Sequence, residues 1–113
     1  MNGIMKVVTL NDGRYIGLPK HIANIVEEAA KYRCTTEGDN IIKMDLITKD
    51  DFKRADCTTI RLRTAYDDQK WFRFPKLTTA ECNDQFFSVG KQVIVKYNPA
   101  DQSFILQGTG RDA

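Results

Sequence analysis

Residues 58–75 read TTIRLRTAYDDQKWFRFP, and this stretch predicts how the rest of the chain is arranged. Two runs rich in β-branched and aromatic residues flank a polar centre at residues 65–69. This pattern is typical of a β-hairpin whose loop has roughly three to five residues. We therefore expect an antiparallel two-stranded ribbon in the middle of the fold.

Side chains of this ribbon should alternate between two faces, because successive residues of a strand point in opposite directions. One face then collects the apolar side chains Ile60, Leu62, Phe72 and Phe74. The other face collects Arg61, Arg63, Trp71 and Arg73, which we call the Arg/Trp face. If the apolar set packs into a core, three guanidinium groups and an indole are presented to solvent.

The Arg/Trp face predicts a small, non-enzymatic binding module for nucleic acid or a nucleotide-like anion. Arginine offers forked hydrogen-bond donors to phosphate, and a tryptophan face stacks on a base with a gain of ~1–3 kcal/mol. Lys70 and Lys76 could extend the positive surface along the second strand. The predicted ligand residues are Arg61, Arg63, Trp71, Arg73 and Lys70.

Three other interpretations of the same stretch stay open. The arginines could pair with Asp67 or Asp68, or stack on Trp71, and simply solvate the sheet. A register slip of one residue would instead bury Trp71 and reverse both faces. Thirdly, Trp and Arg are typical anchors of protein interfaces, as in an accessory or inhibitory protein of bacterial or phage type.

Two helices are expected from periodicity and start signals. Pro19 suits the first turn of a helix over about residues 19–33, whose apolar side chains recur at helical spacing. A second, short helix is expected over about residues 79–87. We predict an α+β fold: a mostly antiparallel or small barrel-like sheet with one main helix and one short helix, in a single domain of residues 1–113.

Further hairpins are expected near both ends of the chain. Residues 5–10 and 14–18 flank Asn-Asp-Gly, which is a strong signal for a tight turn, and residues 91–107 alternate around a second turn. Residues 90–103, GKQVIVKYNPADQS, resemble the strand–turn–strand of the small β-barrel near the C-terminus of Mu-type transposases. The resemblance implies a barrel-like end to the domain and no catalytic part.

Composition places the chain among ordinary globular domains. It has 113 residues, 42% hydrophobic and 28% charged, which argues against disorder or a fibrous repeat. The formal net charge of +2 is too small to imply nucleic-acid binding from bulk charge. Such a function must therefore rest on local clustering of cations.

We expect no enzyme, no metal site and no cofactor. The one histidine, His21, stands at the start of the first expected helix, without a catalytic motif around it. The cysteines, Cys34, Cys57 and Cys82, lack the close spacing of zinc ligands and are expected to be buried thiols in a reducing compartment. We therefore expect a cytoplasmic protein without a membrane span, and the sequence leaves a homodimer open.

Overall fold

A computed structural model of the chain describes residues 1–10, 13–27, 30–47, 57–63, 69–74 and 84–113. At Leu10, residues 57–63, Gln69 and Asp84 it describes the backbone only. The strands in this part are β1 Asn2–Leu10, β2 Gly13–Gly17, β3 Lys31–Glu37, β4 Ile41–Leu46, β5 Cys57–Arg63, β6 Gln69–Arg73, β7 Lys91–Asn98 and β8 Ser103–Asp112. The helices are α1 Lys20–Ala23 and α2 Asp84–Phe87.

The strands form a closed barrel in the order β1-β2-β6-β5-β3-β4-β8-β7. Every neighbouring pair in this order is antiparallel. Pairing of β1 with β7, which aligns Ile4 with Ile94, joins the two ends of the sheet. Closure matters because a sheet rolled into a barrel leaves no row of unpaired backbone groups at an edge.

The expected α+β architecture is wrong, because the fold is built almost entirely from strands. The main helix predicted over residues 19–33 is a single turn, Lys20–Ala23, and the chain enters strand β3 at Lys31. Of the second helix, predicted over residues 79–87, the described part contains Asp84–Phe87. Residues 79–83 lie outside the described residues.

The error over residues 19–33 has a physical cause in two overlapping periodicities. Tyr32 fits the helical spacing that begins at Ile22, but it also fits a two-residue alternation with Cys34. In β3 the alternation prevails: Tyr32 and Cys34 are buried inside the barrel while Arg33 between them is half exposed. Ile25, which also fits the helical spacing that begins at Ile22, is 53% exposed.

The barrel interior is a packed hydrophobic core. Its largest fully buried side chains come from seven of the strands, from the residue after β2 and from α1: Val7, Ile16, Leu18, Ile22, Tyr32, Ile42, Met44, Phe72, Val93, Phe104 and Leu106. Phe72 and Phe104 meet edge to face with ring centroids 4.9 Å apart, and Tyr32 contacts both rings edge to face. Edge-to-face pairs add about 0.5–1.5 kcal/mol each beyond the burial of apolar area.

Short segments cover the two ends of the barrel. At one end, α1 and the residues after it bury Ile22, Ala23 and Val26. At the other end, α2 places the ring of Phe87 5.9 Å from that of Phe74. The Arg14 guanidinium, on β2, donates a hydrogen bond to the Phe87 carbonyl (2.9 Å) and so ties this cover to the barrel.

Candidate functional site

Ligand binding inside the barrel is not supported by the described residues. One void within the core, lined by side chains such as Cys34, Ile42 and Leu106, has a volume of about 10 Å³. A ligand cavity ordinarily measures roughly 300–1,000 Å³. This void is too small for such a ligand, and the candidate site lies on the outer surface.

Strand β6 of the central ribbon is oriented as the alternation predicts. Strands β5 and β6 pair antiparallel, with Ile60 opposite Phe72 and Arg61 opposite Trp71. Phe72 and Phe74 belong to the core and are 2% and 7% exposed. Trp71 and Arg73 alternate with them and therefore lie on the outer face of the barrel.

Trp71 is half-buried on this outer face. On one side its register partner is Gly17 of β2, and on the other it is Arg61 of β5. A glycine beside a large ring leaves the ring room to lie along the sheet. The indole Nε1 is buried and has no hydrogen-bond acceptor among the described residues, so one donor of this face is unsatisfied.

Arg73 is exposed and lies beside Gly13, the first residue of β2. Its register partner on β2 is Tyr15, which is 6% exposed although it lies outside the core cluster. A Cβ placed on Gly13 would be 2.9 Å from Nε of Arg73, so the guanidinium passes directly over this glycine. Gly13 thus leaves the space in which the arginine lies.

The backbone register brings Arg61 to the position beside Trp71 and Arg63 to the position beside Gln69. The side chains of Arg61 and Arg63 are outside the described part of the structure, as are Lys76 and the loop residues Asp67 and Asp68. The structure therefore places the side chains of Trp71 and Arg73 on the same face. For Arg61 it shows only that the backbone lies beside that of Trp71. The predicted pairing of arginines with loop aspartates is not described.

Lys70 has a different position from the other predicted ligand residues. Its ammonium group donates hydrogen bonds to the carbonyls of Ala23, at 2.8 Å, and Val26. Its own carbonyl accepts a hydrogen bond from the Leu18 amide. Lys70 thus holds the segment that covers this end of the barrel, and we do not include it in the Arg/Trp face.

Strand β2 contributes to the site, and sequence reasoning did not place it there. Gly17 and Tyr15 lie next to Trp71 and Arg73 because β2 pairs with β6, more than fifty positions later in the chain. Local patterns predict a hairpin and its faces, but they carry no information on which distant strand joins it. The sequence signal closest to this arrangement is Gly17, because a glycine within a strand often marks a place where a neighbouring group approaches closely.

Other sequence predictions about sites can be located in part. His21 is exposed on α1, and Cys34 is buried and forms no disulfide. Among the described residues, no group of three or more His, Cys, Asp or Glu side chains could hold a metal ion. No helix in the described segments is long and apolar enough to cross a membrane.

Comparison with known proteins gives no relative from which a function could be transferred. No protein-family model, no curated protein and no solved structure matches the chain. The function of the protein must therefore be argued from its own geometry.

Proposed function

We propose that the protein is a non-catalytic binding module whose Arg/Trp face holds single-stranded nucleic acid. Trp71 would stack on a base while Arg73, with Arg61 and Arg63 from the neighbouring strand, would contact the phosphates. A single strand exposes the faces of its bases, so a base can stack on the indole ring. In a duplex those faces are already stacked on neighbouring base pairs.

The observation that carries this proposal is the alternation along β6. Phe72 and Phe74 are buried in the core, which leaves the intervening Trp71 and Arg73 together on the outside. Trp71 also keeps a buried indole N–H without an acceptor among the described residues. An unsatisfied buried donor costs roughly 1–3 kcal/mol, so Trp71 occupies this position at some cost to stability.

The first experiment measures fluorescence anisotropy of a labelled oligodeoxythymidine titrated with protein. We expect salt-sensitive binding, with a slope of log K against log salt of about −2 if three arginines contact phosphates. Arg73→Ala should weaken binding and reduce the magnitude of that slope by about 0.7. Trp71→Leu should lower the affinity roughly ten- to hundredfold, because one stacked base contributes ~1–3 kcal/mol.

The matched control is Arg111→Ala, which removes an exposed arginine from β8, on the far side of the barrel. It should leave both affinity and slope near those of the unchanged protein. Denaturation curves of each variant separate loss of binding from loss of fold. Absence of salt-dependent affinity, or equal losses in Arg73→Ala and Arg111→Ala, would contradict the proposal.

A protein–protein interaction module is the second candidate, and exposed apolar side chains favour it. Ile4 on β1 is 65% exposed and is paired with the half-buried Ile94 on β7. Such a module would travel with protein and not with nucleic acid. Size-exclusion chromatography of untagged protein, with the ratio of absorbance at 260 and 280 nm, separates the two candidates.

A further inference from the structure

A groove of about 360 Å³ lies on the outer surface, across β4, β8 and β7. In the barrel order these three strands lie across the barrel from β6, so the groove is separate from the Arg/Trp face. Its size falls near the lower end of the range for sites that take small organic molecules. Its lining includes four charged side chains and one apolar side chain, namely Lys43, Asp45, Lys96, Asp101 and Ile105.

The register determines the floor of the groove. Ile105 on β8 pairs with Lys96 of β7 on one side and with Lys43 of β4 on the other. Neighbouring strands are about 4.8 Å apart, so the two lysine backbones are about 10 Å apart with the apolar side chain between them. The floor is therefore a half-buried isoleucine with one lysine on each side.

The two lysines differ in their partners. Lys43 Nζ is 3.0 Å from a carboxylate oxygen of Glu37, and a hydrogen bond to that carboxylate raises the pKa of Lys43. Lys96 is half-buried and has neither a hydrogen bond nor an ion pair among the described residues. The wall formed by β7 thus carries an uncompensated positive charge.

The opposite wall also carries negative charge. Asp45 lies two residues beyond Lys43 on the same outer side of β4, and Arg33 of β3 is its register partner. The carboxylate of Asp45 makes no hydrogen bond or ion pair in the described part. Asp101, in the turn at the end of the groove, accepts hydrogen bonds from the Ser103 hydroxyl (2.7 Å) and amide (3.1 Å). The hydroxyl contact lowers the pKa of Asp101, so its carboxylate is ionised at neutral pH.

We infer that this groove binds a small zwitterion, with the ligand carboxylate at Lys96, its ammonium group at Asp45 and its short apolar chain on Ile105. Lys96 and Asp45 lie on opposite walls, so a simple anion bound at Lys96 would also meet Asp45, and a simple cation bound at Asp45 would also meet Lys96. Only a ligand with both charges satisfies both walls. Since β8 separates the walls, the amine and carboxylate should be several bonds apart.

The test is an NMR titration of ¹⁵N-labelled protein with 6-aminohexanoate, 4-aminobutanoate and glycine, and with hexanoate and hexylamine as single-charge probes. We expect saturable shifts at the amides of β4, β7 and β8 around the groove. 6-Aminohexanoate should bind roughly fivefold more tightly than either single-charge probe, as two partly exposed ion pairs allow. Glycine should bind more weakly than the longer zwitterions.

Two variants assign the charges. Lys96→Gln should remove the preference of 6-aminohexanoate over hexylamine, and Asp45→Asn should remove its preference over hexanoate. Lys6→Gln is the matched control, since Lys6 is exposed on β1 and does not line the groove. The inference would be overturned if no shifts occur at the groove, or if hexanoate or hexylamine binds as tightly as 6-aminohexanoate. It would also be overturned if Lys96→Gln and Asp45→Asn bind 6-aminohexanoate as tightly as the unchanged protein does.

Discussion

At the scale of single residues, close contacts decide how the segments covering the barrel ends can sit. A Cβ on Gly108 of β8 would be 2.6 Å from Cβ of Phe86 and 3.0 Å from its carbonyl oxygen. The absence of a side chain at this position therefore allows α2 to approach the barrel. At the other end, Lys70 supplies a charged donor to two carbonyls that follow or end α1.

Gly108→Ala should destabilise the fold by about 1–3 kcal/mol, because the backbone carbonyl of Phe86 cannot move away without shifting α2. The measurement is the free energy of unfolding from urea denaturation. Gln107→Ala, at the neighbouring half-buried position on the outer face, should change it by less than about 0.5 kcal/mol. Equal stabilities of Gly108→Ala and the unchanged protein would contradict this close packing.

Lys70→Met should cost about 1.5–3 kcal/mol of stability, because the carbonyls of Ala23 and Val26 lose a charged donor. Its oligonucleotide affinity should change less than that of Arg73→Ala, since the ammonium group is directed at the covering segment. Lys20→Met, an exposed lysine on α1, is the control for stability. If Lys70→Met is as stable as the unchanged protein but no longer binds nucleic acid, Lys70 is a ligand residue and this assignment is wrong.

The buried tyrosines make stability depend on alkaline pH. Burial raises the pKa of Tyr32, and burial likewise raises the pKa of Tyr97. Above the ordinary tyrosine pKa of about 10, the unfolded chain loses phenolic protons that the folded chain retains, so stability falls as pH rises. Below that pH these two groups add no pH dependence.

Urea denaturation at pH values from about 8 to 11.5 measures this fall, which is at most about 1.4 kcal/mol per pH unit for each tyrosine. At neutral pH, Tyr32→Phe should change the free energy of unfolding only through altered packing. Above pH 10, its free energy of unfolding should fall less steeply with pH than that of the unchanged protein. A decline as steep as that of the unchanged protein would show that Tyr32 does not cause it.

At the scale of elements, local patterns predicted the hairpins and failed where two periodicities overlap. The paired strands β1 with β2, β5 with β6, and β7 with β8 lie where alternation and turn residues placed them. The helical spacing of Ile22, Val26 and Tyr32 predicts a long helix after Pro19, but the alternation that begins at Lys31 prevails and forms β3. Only its pairing with β4 and β5, both later in the chain, makes β3 a strand.

Amide hydrogen exchange tests this assignment. Because β3 lies between two strands, its amides should be among the most slowly exchanging of the chain, whereas residues 24–27, which follow a single helical turn, should exchange rapidly. The NMR spectra used for exchange also report backbone geometry. Continuous helical signals through residues 19–33 would contradict the strand.

At the scale of the whole molecule, stability depends on closure of the barrel between the first and seventh strands. Those strands are matched through Asn2↔Lys96 and Ile4↔Ile94, a contact between opposite ends of the described chain. No local sequence pattern specifies it. The alternation in each strand indicates which residues face the core, but the order in which the strands meet follows from how all of them can bury their apolar faces together.

Deleting residues 1–6 should therefore lower the denaturation midpoint strongly and produce concentration-dependent association, because β7 would become an exposed edge. Sedimentation velocity and urea denaturation measure the two effects. The substitution Ile4→Thr keeps the strand and changes only an exposed side chain, so it should remain close to the unchanged protein. A monomeric, fully stable deletion variant would contradict the closing role of β1.

The most direct test of the proposed function uses the chain's one tryptophan as the reporter. Fluorescence of Trp71 is followed while oligodeoxythymidine is added at low and at high salt. We predict saturable quenching that weakens as salt rises and that is greatly reduced in Arg73→Ala, because base stacking on the indole depends on phosphates held beside it. Emission that stays constant throughout the titration at low salt would contradict the Arg/Trp face as a nucleic-acid site.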